Sequence, residues 1–155
     1  VGVDIHGFWE VNTPDGWLAF RKINYSRDYE WFGLLANIRR LSRSALTAVN
    51  GIPEDCSLAW QRYTADWGDG LHSHTCYRYK DICMLNEEYK KENDCDFILL
   101  PMLNEELKFI YGFGDPLPGR WGGTEIKSYW FGTLQELIQT DDLDNNVRYV
   151  CAFDS

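Results

Sequence analysis

Ten residues, Asp66-Trp67-Gly68-Asp69-Gly70-Leu71-His72-Ser73-His74-Thr75, gather two of the chain's three histidines with two carboxylates, two hydroxyls and two glycines. The third histidine stands in a second polar run, Asp4-Ile5-His6. His72 and His74 are two residues apart, as are Asp4 and His6. On extended backbone such pairs point the same way, so each pair could reach one ion. Together Asp4, His6, Asp69, His72 and His74 could supply a mixed nitrogen and oxygen site for a divalent metal such as Zn, Mn, Mg or Fe. A metal held there would activate water and polarise a phosphoryl or carbonyl oxygen.

The same residues also allow metal-free chemistry. His72 or His74 could act as general acid or base, oriented by Asp69 or Asp4. Ser73, Thr75 or the neighbouring Cys76 could serve as nucleophile, although nothing in the sequence lowers the thiol's pKa. A third reading has no chemistry in it: Asp, His, Ser and loop amides hydrogen-bond one another and hold the loop shut. Trp67 and Trp121 each stand next to glycine, where a ring can stack on a base or sugar. Arg39, Arg40 and Arg43 cluster further upstream. They complement a helix C-terminus, or Arg39 and Arg43 form an anion site, since guanidinium grips phosphate in a fork.

The elements that must position these groups follow from pattern. Val3, Ile5, Trp9 and Val11 fall on one side of a strand; Asp4, His6, Phe8 and Glu10 fall on the other. Asn12-Thr13-Pro14-Asp15-Gly16 is a turn, and Trp17–Ile23 is the return strand of a hairpin. Ser26 or Asp28 caps a long helix, Tyr29–Ala45, with Trp31, Leu34, Leu35, Ile38, Leu41 and Ala45 facing the core. A short helix fits within Cys56–Ala65, and Asp66–His74 reads as an irregular, glycine-hinged loop. Residues 79–94 suit a solvated helix with a Glu87–Lys91 pair. Asn104–Tyr111 and Thr133–Gln139 suit short helices, Gly112–Gly123 a long loop and Thr124–Phe131 a strand. Asp141–Asn146 is a polar turn, and Val147–Phe153 is a final strand. The expected fold is α+β in one compact domain, residues 1–155. Its mostly antiparallel sheet is built from the N-terminal hairpin and the C-terminal strand, with the long helix on one face.

Composition narrows the function. The net charge is −9. Residues 1–80 carry nine acidic and nine basic side chains, whereas residues 81–155 carry fifteen acidic and six basic. Duplex nucleic acid is therefore not an expected partner, because its binding relies on Lys and Arg at phosphates. A small anionic ligand can still approach the neutral half, and the acidic half could dock a basic partner. No run of about 18 apolar residues suggests a membrane span, and the opening residues lack a signal-peptide pattern. A cytoplasmic location is expected. Five cysteines without a C-x-x-C read as reduced thiols, mostly buried.

Several segments also resemble a widespread set of small bacteriophage proteins of little assigned function. They are the opening Gly2-Val3-Asp4-Ile5-His6, Asn24–Phe32, Gly51–Ser57, Trp67–Thr75 and the ending Val147–Asp154. The usual opening of that set has Cys where this chain has Val3. The resemblance implies a phage origin, in the cytoplasm of the infected cell, and transfers no enzyme activity; by analogy with other small phage accessory proteins, evasion of host defence is the expected role. As an enzyme it would hydrolyse a phosphate-containing small molecule, a nucleotide signal. As a non-catalytic module it would sequester such a nucleotide or block a host defence protein.

Overall fold

The structure, a computed structural model, describes residues 2–14, 16–40, 51–93, 100–107 and 132–155. Four antiparallel strands form one sheet in the order β2-β1-β4-β3. They are β1 (Asp4–Thr13), β2 (Gly16–Lys22), β3 (His72–Arg78) and β4 (Val147–Asp154). The helices are α1 (Tyr29–Ala36), α2 (Leu58–Trp67), α3 (Tyr79–Asn93), α4 (Leu134–Ile138) and α5 (Leu143–Asn146). The fold is α+β, as the patterning requires. No described helix is long and apolar enough to cross a membrane.

The alternation in β1 decides the layering. Ile5, Trp9 and Val11 join a large core with Trp31, Phe32 and Leu35 of α1 and Ile82, Leu85 and Tyr89 of α3. Phe8 faces the other way, into a smaller core with Ala59, Trp60 and Tyr63 of α2. The sheet is thus covered on both faces, and β1 and β4 are buried almost throughout. Each fully buried aromatic stabilises the fold by about 1.5–3 kcal/mol. Gly7 is needed where it stands, because a Cβ there would overlap the Tyr149 hydroxyl. That hydroxyl crosses β1 to donate to the Ile23 carbonyl at 2.7 Å.

The helix expected over Tyr29–Ala45 is shorter. Asp28 caps its start, accepting from the Trp31 amide. Asn37 then takes a left-handed conformation (φ 53°) and ends it, donating to the Gly33 carbonyl. A short polar side chain tolerates that conformation. Arg39, also left-handed at φ 58°, sits in a following 3-10 turn, Ile38–Arg40. Leu41, Arg43 and Ala45 lie outside the described residues.

The segment Asp66–His74 is also more regular than its glycines suggest. Asp66 and Trp67 finish α2, Gly68–Gly70 makes a 3-10 turn, and His72 opens β3. Pairing with β4 imposes that strand. The chain absorbs an extra residue between His72 and Thr75, where Ser73 adopts φ 55°. Glu106 makes an isolated bridge to Thr133 rather than sitting in a helix. The polar turn before β4 tightens into α5, capped by Asp142. On α3, Glu87 contacts Lys90 and Glu88 contacts Lys91, one residue closer in spacing than the expected pair. The segments expected as a loop at Gly112–Gly123 and as a strand at Thr124–Phe131 lie outside the described residues, as do Trp121 and Cys95.

At one end of the sheet, Glu10 is 0% exposed. It accepts from Arg148 Nε at 2.8 Å and from the Ser57 amide at 2.6 Å. Arg148 lies opposite it on β4, stacks on Trp17 at 3.9 Å and also donates to Asp55. A buried ion pair loses most when one partner is removed. Arg148→Met should therefore lower stability to urea by about 3–5 kcal/mol. Adding Glu10→Gln, which still accepts from Ser57, should restore most of that loss. A double variant no more stable than Arg148→Met would show that the stranded carboxylate is not the cause.

Candidate functional site

The opposite end of the sheet collects the polar residues of four strands. The register sets Asp4 opposite Asp154 and His6 opposite Ala152. On the other flank of β4, His72 stands opposite Phe153. The Asp4–His6 and His72–His74 runs therefore do reach one end of the sheet, with β4 between them. Their backbones are held roughly 10 Å apart, two strand spacings.

His6 is the centre of this end. Its Nε2 lies 2.7 Å from Asp154 Oδ2, and its Nδ1 lies 2.5 Å from the Tyr63 hydroxyl on α2. An ionised carboxylate only accepts, so Nε2 carries the proton. Nδ1 of the neutral ring is then the acceptor, and Tyr63 donates to it. Asp154 is fixed further by the Asp4 amide at 3.3 Å. The Trp67 ring lies over His6 with centroids 4.7 Å apart. Trp67 also lies against the Tyr63 ring, with centroids 6.5 Å apart. The Asn24 side-chain oxygen accepts from the Gly7 amide at 3.2 Å. Burial pushes the Tyr63 phenol up, and Asp154 adds to this, whereas the Trp67 and Asn24 contacts oppose it. Tyr63 thus stays protonated at neutral pH. Lys22 places its ammonium 5.3 Å from the Tyr63 ring centre.

The other residues read from the sequence are placed differently. Asp4 grips Arg27 through Nε and Nη2 at 2.9–3.1 Å. That hydrogen bonding holds its carboxyl below the usual range. His72 packs on Phe153, on the sheet face that carries Phe32 and α1. His6 points to the α2 face, so His6 and His72 diverge. The bulge at Ser73 also breaks the alternation that would have aligned His72 with His74. His72 instead lies 3.0 Å from Ser73 Oγ and 3.1 Å from Ser155 Oγ. His74 Nδ1 is buried without a hydrogen-bond partner. Asp69 is exposed on the 3-10 turn. Among the described residues, no group of three or more His, Cys, Asp or Glu is placed to hold a metal ion. Arg39 lies 3.9 Å over the Tyr29 ring and donates to its hydroxyl at 3.2 Å, beyond α1. Burial pushes the Cys56 thiol up to about 11 and the Cys76 thiol up to about 12. At those values neither thiol ionises near neutral pH.

Asp154 and Tyr63 are the partners that the sequence reading missed. A carboxylate at a strand end is an ordinary feature, and a single Tyr on a helix reads as core. Only their distance from His6 marks them. A comparison of the chain with family models, with curated proteins and with solved structures returns no match.

His74 offers a pH test of the bulge. Burial and the neighbouring His72 lower its pKa below the ordinary 6.5, against a backbone contact to Leu71. Above 6.5 both folded and unfolded chains hold it neutral. As pH falls below 6.5, the unfolded chain binds a proton that the folded chain refuses, so stability is lost. Between pH 7 and pH 5 the melting temperature of the wild type should drop more than that of His74→Gln. Parallel curves would show that His74 is not buried as described.

Proposed function

We propose that the protein acts on a phosphate-containing small molecule at this end of the sheet, with His6 and Tyr63 as its acid–base pair. One observation carries the reading: both ring nitrogens of His6 are engaged, one by Asp154 and one by Tyr63. Asp154 orients the imidazole and stabilises its cationic form. With ligand bound, the Tyr63 hydroxyl, kept protonated by burial, turns from His6 to the leaving oxygen and gives up its proton there. Nδ1, so freed, takes the proton of the attacking water, and the resulting imidazolium returns it to the tyrosinate. Lys22, beside the Tyr63 ring, supplies a positive charge for an anionic ligand. The resemblance to phage accessory proteins supports placing that ligand among host nucleotide signals. The residues doing this work are not the Asp69, His72 and His74 set read from the sequence, although His72 and His74 border the same end.

A second reading is sequestration without turnover. It is favoured by the closure of the pair, with His6 9% and Tyr63 2% exposed. A site that shuts over its ligand holds it as readily as it transforms it.

Incubation with a panel of linear and cyclic nucleotides, followed by product analysis, separates the two. Turnover is expected, and Tyr63→Phe or Asp154→Asn should lower it by about 100-fold or more. Tyr63→Phe keeps the ring packing but leaves His6 Nδ1 without its donor, so its stability should fall by only about 1–3 kcal/mol. Nucleotide bound but recovered intact would sink the enzyme reading and leave sequestration. A panel neither bound nor changed would remove both. Repeating the assay with added Zn, Mn or Mg tests the metal-dependent version: a dependence on the ion abolished by His72→Ala but not by Tyr63→Phe would move the chemistry to the β3 histidines.

A further inference from the structure

We infer that Trp67 is a movable cover, and that the His6–Tyr63 pair meets ligand only when its indole swings aside. This rests on the reading of that pair as the site. Tyr63 is 2% exposed and His6 9%, yet Trp67, which lies against both rings, is 37% exposed. The indole thus covers the pair with solvent on its own outer face. Its place in the chain suits movement. Trp67 is the last residue of α2, and the next residue, Gly68, caps the helix with φ 55°. A Cβ added at Gly68 would meet nothing within 4 Å, so the space beside the turn is open. Gly70 passes close under the indole: a Cβ there would stand 3.0 Å from Trp67 Cε3. The Gly-Asp-Gly turn thus both seats the ring and leaves it room to leave. The inner walls of the pair do not offer such a route. Tyr63 is backed by Phe8 and Trp60, with ring centroids at 5.3 and 5.6 Å, and Trp60 is fully buried.

The state that admits ligand is then the minor one, and Trp67 sets its population. Diethyl pyrocarbonate, which acylates unprotonated imidazole nitrogen, reads that population residue by residue when the products are mapped by mass spectrometry. In the wild type, His6 should react about 10- to 100-fold more slowly than the part-exposed His72, as expected for an open state populated at a few per cent or less. Trp67→Ala should bring His6 to within about 3-fold of His72, and Trp67→Phe, which keeps a ring over His6, should stay near the wild type. Trp67→Leu, with apolar bulk but no ring plane, should fall between them. His74, part-buried on β3, monitors the fold and should keep its rate in every variant. The inference is overturned if His6 in Trp67→Ala reacts within about 2-fold of its wild-type rate, or if His74 accelerates with it, which would report unfolding rather than uncovering. The readout is access and not turnover, so it stands or falls separately from the nucleotide panel.

Discussion

The antiparallel pairing of β1 with β4, from Asp4 opposite Asp154 to Val11 opposite Val147, carries the rest of this structure. It joins the two ends of the described chain at the centre of the sheet. Each of the other strands pairs with only one of these two. Both strands are covered on both faces, so every side chain along them must match one core or the other. A slip of one residue would exchange those faces and drive Asp4, His6 and Glu10 into the large apolar core.

On the α2 face this pairing leaves a polar pair at each end and an apolar middle. Glu10 faces Arg148 at one end, and opposite charges side by side on a sheet attract. Asp4 faces Asp154 at the other, where like charges repel. The fold answers that repulsion with two separate partners, Arg27 on Asp4 and His6 on Asp154. The same polar groups anchor α2. Glu10 accepts from the amide of Ser57, the residue that caps the helix, and His6 accepts from Tyr63 two turns later. Between these tethers, Trp60 and Tyr63 pack on Phe8. The candidate site is thus also one of the two points that dock the helix, which is why His6 and Tyr63 are so little exposed.

Much of this architecture is legible in the residues. The two-residue period of Val3–Val11 separates the faces of β1, and Asn12–Gly16 announces the hairpin. Val147–Phe153 is recognisable as a strand, and Ser26 or Asp28 as the cap of the first helix. Other elements are hidden by local chemistry. The two glycines and the hydroxyls of Gly68–Thr75 favour turns, so β3 is invisible until β4 supplies its hydrogen bonds. Asn37 is a mild helix former whose ability to adopt a left-handed conformation matters only when the chain must turn off the sheet.

By itself the sequence determined the composition of the site end: which residues are polar, how they alternate along β1, and that histidines occur in two runs. Tertiary structure alone decided which of them meet. His6 and His72 belong to strands on opposite flanks of β4 and to opposite faces, so they diverge, while Tyr63 and Asp154, 57 and 148 residues from His6 in the chain, close on its two nitrogens. The reason is physical. Spacing along a chain fixes the side of a strand on which a residue projects, but strand order and register fix its neighbours, and those depend on how both cores are filled.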